Sequence, residues 1–215
     1  MTDLWESEER LALRKTVTAF TEREILPNLD DWEAGGLLPR ELHTKAGDLG
    51  LLGVSFPESV GGGDGDPRDA LIVCEAMHEA GGSGGLFASL FTCGISVPHI
   101  ILAGTDEQKQ RWVAPVLAGE KISSLAITEP NGGSDVGHLR TTARKDGDHY
   151  IVNGSKTFIT NGYQCDLAIV AALCAAAAMA LYFFSTRSAA AVAASAVPLA
   201  GPTGLSPAAV LLLAA

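Results

Sequence analysis

Two stretches decide how this chain reads: Thr128-Glu-Pro-Asn-Gly-Gly-Ser-Asp135 and Asn153-Gly-Ser-Lys-Thr-Phe-Ile-Thr-Asn-Gly162. Each joins a polar, glycine-bearing turn to a run rich in β-branched or aromatic residues, the pattern of short strands bounded by turns. Around them, Ser123 to Thr128, Thr141 to Arg144, His149 to Val152, Thr157 to Thr160 and Leu167 to Val170 read as strands. The Asp146-Gly147 pair marks a hairpin, because a two-residue reversal needs positive φ.

The residues before this region follow a helical period. Leu4, Leu11, Val17, Phe20 and Ile25 recur among charged neighbours, and Pro27 closes the run, which predicts a long amphipathic first helix. A second helix is predicted from Pro39 to near Gly50. A third runs from Pro67 through Glu79, capped by Asp66 with Pro67 in the first turn. Residues 85–103 are apolar enough for a core helix that Pro98 kinks or divides in two, and Thr105-Asp-Glu-Gln108 has the form of a capping box. The fold class is therefore α+β. An N-terminal all-α helical domain over residues 1–120 precedes a truncated antiparallel β domain over 121–172, and an Ala-rich low-complexity tail covers 173–215.

Charge narrows the functions. Residues 1–170 carry 14 of the 15 basic residues and all 25 acidic ones, and this excess of acid, with no basic stripe, argues against a nucleic-acid partner. Cys74, Cys93, Cys165 and Cys174 lie far apart, without the spacing of a zinc site or the density of a secreted scaffold, so they read as free thiols in a reducing compartment. The acidic start Met-Thr-Asp-Leu-Trp-Glu lacks a targeting pattern, and the expected location is cytoplasmic. His43, His78, His99, His138 and His149 show no metal-ligand spacing, and no metal is assigned. Glu75 and Glu79 lie one helical turn apart and read as a solvated face. Gly81-Gly-Ser-Gly-Gly85 lacks the Lys-Ser/Thr of a phosphate loop.

A flavin ring offers hydrogen-bonding atoms along one edge and two broad faces, and the two motifs supply backbone amides, small hydroxyls and an aromatic side chain suited to both. They resemble the Thr-Glu-Pro-x-x-Gly-Ser-Asp and Asn-Gly-x-Lys-x-(Trp/Phe)-Ile-(Thr/Ser)-Asn-Gly stretches of the acyl-CoA dehydrogenases, in the same order and at the same separation. Leu49-Gly-Leu-Leu-Gly53, the Pro57-Glu-x3-Gly-Gly loop and Gly104-Thr-x-Glu-Gln-Lys-x-Arg-Trp112 are similar to that family's helical domain. The resemblance covers roughly residues 3–172. It implies FAD as cofactor, held by Leu125, Ile127, Thr128, Gly133, Ser134, Phe158, Ile159 and Thr160, with Phe158 against the ring, Thr160 on its edge, and Ser134 also touching an acyl-CoA substrate. It further implies α,β-dehydrogenation of an acyl-CoA thioester in fatty-acid or branched-acyl degradation, with an electron-transfer flavoprotein as acceptor and a homo-oligomeric full-length form.

The family's catalytic base, usually a Glu, lies in a C-terminal helical domain, and here no acidic residue follows Asp166. No catalytic residue is assigned, and the chain as written is expected to be truncated and inactive. From about Ala171 the text changes: residues 171–215 hold one charge, Arg187, and 18 alanines. The favoured reading is a reading-frame shift near Ala172. The alternatives for the tail are a low-complexity extension and a membrane span over the apolar run Leu167 to Phe184. The alternative function is a non-catalytic flavin- or acyl-CoA-binding protein, attached to a membrane by the tail if that run is a span. No packing face is specified beyond residue 171.

Overall fold

In the computed structural model the described residues are 5, 7–147, 149–174 and 178–185. The chain forms two compact units: residues up to Phe91 together with Ala114–Glu120, and Thr92–Val113 together with the described residues from Lys121 onward.

In the first unit, α1 (Glu8–Phe20) begins at Ser7, whose hydroxyl accepts from the Arg10 N–H. The predicted long helix does not run straight to Pro27. It widens into a π turn over Thr21–Ile25 and tightens at Leu26–Asn28 before α2 (Leu29–Gly35), which Gly36 closes in the left-handed region. The predicted second and third helices appear as α3 (Arg40–Asp48) and α4 (Pro67–Glu79), the latter with the Asp66/Asp69 capping box.

Helices α1 and α4 pack together through Val17, Phe20, Ile72, Val73, Ala76 and Met77. Arg10 ties α1 to the N-terminus of α4, its guanidinium donating to Asp69 Oδ1 and Asp66 Oδ2, both at 2.8 Å. Along the same seam Arg14 pairs with Glu75 and, at 2.7 Å, with Glu79, so these two glutamates are surface ion-pair partners.

The apolar run 85–103 forms three short helices: α5 (Gly84–Leu90), α6 (Cys93–Ser96) and α7 (Pro98–Ala103). Pro98 opens α7, as predicted, but a further break at Phe91 separates α5 from α6 and leaves no single core helix. Ile95 and Leu102 point outward. Next, α8 (Asp106–Gln108) starts with the reciprocal Thr105/Gln108 bonds of a capping box, and α9 (Ala114–Leu117) follows a second π turn.

In the second unit, β1 (Ser123–Ala126), β2 (Thr142–Asp146), β3 (His149–Asn153), β4 (Leu167–Cys174) and β5 (Ala178–Ser185) form one sheet. β2 and β3 make the predicted hairpin, with Asp146 opposite His149 and Gly147 at φ 59°. The α+β class stands, but the sheet is mixed where the sequence pattern predicted it antiparallel. One edge of β4 pairs in parallel first with β1 and then with β2. The forty residues between β1 and β4 return the chain to its starting edge, which local turn signals cannot reveal. Helix α6 is tied to β1 by a buried bond from the Ser96 hydroxyl to the Ser123 hydroxyl at 2.7 Å.

The apolar run Leu167 to Phe184, weighed above as a membrane span, is β4 paired antiparallel with β5, from Leu167 opposite Ser185 to Cys174 opposite Ala178. Its lack of alternation follows from position: β4 is the central strand, and Leu167, Ile169, Val170, Ala171 and Ala172 are all buried. Among the described residues no single helix is long and apolar enough to cross a membrane. Of the predicted tail 173–215, the strand residues to Cys174 and Ala178–Ser185 are described; residues 186–215 lie outside the described residues.

Candidate functional site

The two motifs meet at the end of β1. The strand stops at Ala126, and Thr128 begins a reversal in which Glu129 N–H donates to the Gly132 carbonyl at 3.0 Å and Gly132 N–H donates back at 3.1 Å. Pro130 and Asn131 are the central residues of this tight turn, the proline supplying the φ that the first central position needs. The second motif joins it directly: Thr157 N–H donates to the Thr128 carbonyl at 3.0 Å.

The strand predicted over Thr157 to Thr160 does not form. Thr157 bonds to a loop, Phe158 has φ 56° and Asn161 has φ 60°, so the backbone leaves the extended region twice within five residues. The turn is closed by Gly162 N–H to the Ile159 carbonyl at 2.9 Å and Cys165 N–H to the Asn161 carbonyl at 2.8 Å. The Asn161 amide also donates to the Thr92 hydroxyl at 3.2 Å. A left-handed Phe costs on the order of 1–3 kcal/mol and persists only where its surroundings impose it. Its ring is nevertheless 92% exposed.

The structure sorts the sequence-predicted residues into two sets. Leu125 lies in β1, and Ile127 and Thr128 follow it, all half-buried, while Gly133 sits close to the Thr128 side chain, with 3.6 Å from its Cβ position to Thr128 Cγ2. Ser134, Phe158 and Thr160 are exposed. Ile159 turns inward and packs against the sheet cluster of Ala126, Ala143, Tyr150, Val152, Val170 and Ala172, which leaves its backbone for any ligand. The hydroxyls of Thr128, Ser134 and Thr160 and the exposed ring of Phe158 are group types that suit a planar heterocycle with a polar edge.

Two enclosed charges of the region, Lys156 and Glu129, carry no role in the sequence reading. Lys156 Nζ donates to the Ile127 carbonyl and to Glu129 Oε1, both at 2.8 Å, with the two side chains only 7% and 2% exposed. Glu129 also accepts Arg140 N–H at 2.6 Å on Oε2 and Thr141 N–H at 2.8 Å on Oε1. Burial pushes the Glu129 carboxyl up, but Lys156, the Thr141 side chain and the two backbone donors outweigh it and hold it at about 2 against an ordinary 4.5. Both residues stand inside the quoted motifs; nothing in the sequence alone says that they are buried.

Other polar groups nearby have structural duties. Asp166 is buried and accepts Ile122 N–H at 2.9 Å. Asp135 accepts from exposed His138 Nδ1 at 2.8 Å and holds that imidazole above its ordinary value. Cys74, Cys93 and Cys165 are free thiols, and burial pushes Cys93 up to about 12, far from a reactive thiolate. No group of three or more potential metal ligands occurs among the described residues.

The fold is similar to that of solved dehydrogenases. A Mycobacterium smegmatis chain solved as an acyl-CoA dehydrogenase is 53% identical with a TM-score of 0.84, covering 87% of this chain and 50% of that one. A glutaryl-CoA dehydrogenase from the same organism, solved in complex with FADH2, is 27% identical with a TM-score of 0.80, covering 97% of this chain and 53% of that one. Among curated proteins, the mitochondrial long-chain specific acyl-CoA dehydrogenase of Sus scrofa is 40% identical over 167 residues, 78% of this chain and 38% of that protein. The models of the acyl-CoA dehydrogenase N-terminal domain and middle domain match residues 7–120 and 124–208, the latter running past residue 172 where the motif resemblance ends. The chain belongs to the acyl-CoA dehydrogenase family, and it spans about half or less of the length of these relatives.

Proposed function

We propose that this chain is the N-terminal and middle portion of a flavin-dependent acyl-CoA dehydrogenase and that the loops around Thr128 and Phe158 hold FAD. The observation that carries the reading is the direct bond from Thr157 N–H to the Thr128 carbonyl, which sets both motifs side by side, with an aromatic ring left exposed on a left-handed residue. In this reading the hydroxyls of Thr128 and Thr160, the backbone of Leu125, Ile127 and Ile159 and the ring of Phe158 would hold the flavin. Gly133 lets the chain pass close to the ligand, and Ser134 reaches both cofactor and thioester.

Bound there, FAD would supply a two-electron acceptor for an α,β-dehydrogenation. The chain's own part is to bind, to orient and to keep water from the reacting carbons. The carboxylate that takes the α-proton is not in this site: Asp166 already holds the Ile122 N–H, and Asp135 is exposed and paired with His138. Acyl-CoA as substrate, an electron-transfer flavoprotein as acceptor, a homo-oligomeric full-length form and a cytoplasmic location complete the proposal.

Anaerobic addition of acyl-CoA to the FAD-loaded chain tests it. Bleaching of the flavin absorbance supports dehydrogenation by the chain as it stands. A yellow chain that no acyl-CoA bleaches favours the second reading, a flavin-binding segment without turnover, to which the engagement of Asp166 points. Replacing Thr128 and Thr160 together by Ala removes two edge hydrogen bonds of about 1 kcal/mol each and should weaken FAD binding by roughly 30-fold. Equal FAD affinity in the double variant removes those hydroxyls from the site.

A further inference from the structure

We infer that Lys156 and Glu129 form a buried clamp that fixes the two halves of the cradle against each other, and that they act as positioning residues for the cofactor. The inference rests on the FAD reading above.

The geometry ties three segments at one point. Lys156 leaves the loop after β3 and reaches the end of β1 twice, at the Ile127 carbonyl and at Glu129 Oε1. From there Glu129 takes the N–H groups of Arg140 and Thr141 at the entry to β2. The proposed ligand-holding groups flank these anchors: Thr128 lies between Ile127 and Glu129, while Phe158 and Thr160 follow Lys156 by two and four residues. With both side chains enclosed, neither is displayed to a ligand, and their effect must pass through the backbone they hold.

Stability alone is a poor account of such a pair. Withdrawing two charges from water roughly cancels their attraction, and an apolar pair of the same volume commonly gives equal or greater stability. What the ion pair adds is direction. An ammonium with donors on both Ile127 and Glu129 admits one spacing, whereas apolar packing tolerates sliding. A fixed spacing matters here because the loop that begins at Lys156 holds two left-handed non-glycine residues, Phe158 and Asn161, and needs anchors on both sides. Lys156 and the Thr157 N–H serve upstream, and the Asn161 amide on Thr92 serves downstream.

The test uses the full chain in four forms: unaltered, Lys156→Met, Lys156→Met with Glu129→Gln, and Ile100→Ala as a destabilised control in a fully buried position of α7. Thermal melting, FAD affinity and hydrogen exchange at the Thr157 amide are measured on each. Lys156→Met strands a buried carboxylate and should lose both stability and affinity. The double variant removes that charge, and the single Gln oxygen can serve only one of the Arg140 and Thr141 N–H groups, so its melting temperature should recover part of what Lys156→Met loses. Its FAD affinity should stay weaker by about tenfold, the size of loss usual when a group that orients ligand-holding residues is removed. The control should lose melting temperature with FAD affinity held within about twofold.

If stability and affinity recover together in the double variant, the pair is structural only and the inference falls. If the unaltered chain takes up no FAD, the cofactor reading fails, and the clamp is decided by exchange. Faster exchange at Thr157 in the double variant than in Ile100→Ala supports it; equal protection overturns it.

Discussion

Glu129→Ala should destabilise the unit that holds the sheet by about 4 kcal/mol, the usual consequence of removing one partner from a buried ion pair. The residue left behind, Lys156, keeps an ammonium that is 7% exposed with only the Ile127 carbonyl to receive it. The N–H groups of Arg140 and Thr141 lose their acceptor at the same time, and each buried unsatisfied donor adds a desolvation cost of about 1–3 kcal/mol where water cannot reach it. Urea unfolding followed by fluorescence of Trp112, which is buried in this unit, reads the loss. A change below about 1 kcal/mol would mean that the carboxylate reaches water and that the pair is not closed.

The second large effect lies in the helical unit. Gly119 has φ 71°, and a Cβ placed there would sit 2.0 Å from the His43 carbonyl oxygen and 2.8 Å from Thr44 Cα. Backbone cannot swing aside as a side-chain tip can, so Gly119→Ala combines left-handed strain with a main-chain overlap. It should cost 3 kcal/mol or more and reduce the yield of folded chain. Gly35→Ala is the matched contrast, because Gly35 ends α2 with nothing within 4 Å of its Cβ position. There Ala should be neutral or stabilising by up to about 1 kcal/mol. Equal melting temperatures for the two variants would contradict the close approach of Gly119 to α3.

The parts of this fold legible in the sequence are those specified by local rules. The capping box of α4, the capping box at Thr105, the Asp146-Gly147 hairpin and the strand character of 123–126 and 167–170 each depend on residues near one another in the chain. What stayed hidden depends on distant partners. The parallel pairing of β4 with β1 and β2 is set by the crossover, and the apolar text that starts at Leu167 imitates a membrane span because β4, as the central strand, buries consecutive residues. Thr157 to Thr160 carries strand-forming residues, yet the bond from Thr157 to Thr128 and the left-handed Phe158 make it a loop. Tertiary placement overrides strand propensity there.

Of the candidate site, the motifs make the residue types legible: Thr128, Ser134, Phe158 and Thr160 offer what the proposed planar cofactor needs, and the structure leaves them half-buried or exposed. Ile159, in the same candidate set, turns its side chain to the sheet cluster and leaves its backbone for a ligand, a facing that alternation cannot assign once the expected strand is absent. Glu129 and Lys156 gave no signal of burial, because charged residues beside a glycine-bearing turn ordinarily face solvent.

The central claim is that this chain holds FAD in the cradle made by its two motifs, and titration of the full chain with FAD, followed by flavin fluorescence and visible absorbance, tests it most directly. Saturable binding of one FAD per chain, with quenched fluorescence and a structured flavin band from a ring stacked on Phe158, is the predicted result. Flavin that keeps its free-solution fluorescence and spectrum at every protein concentration would contradict it.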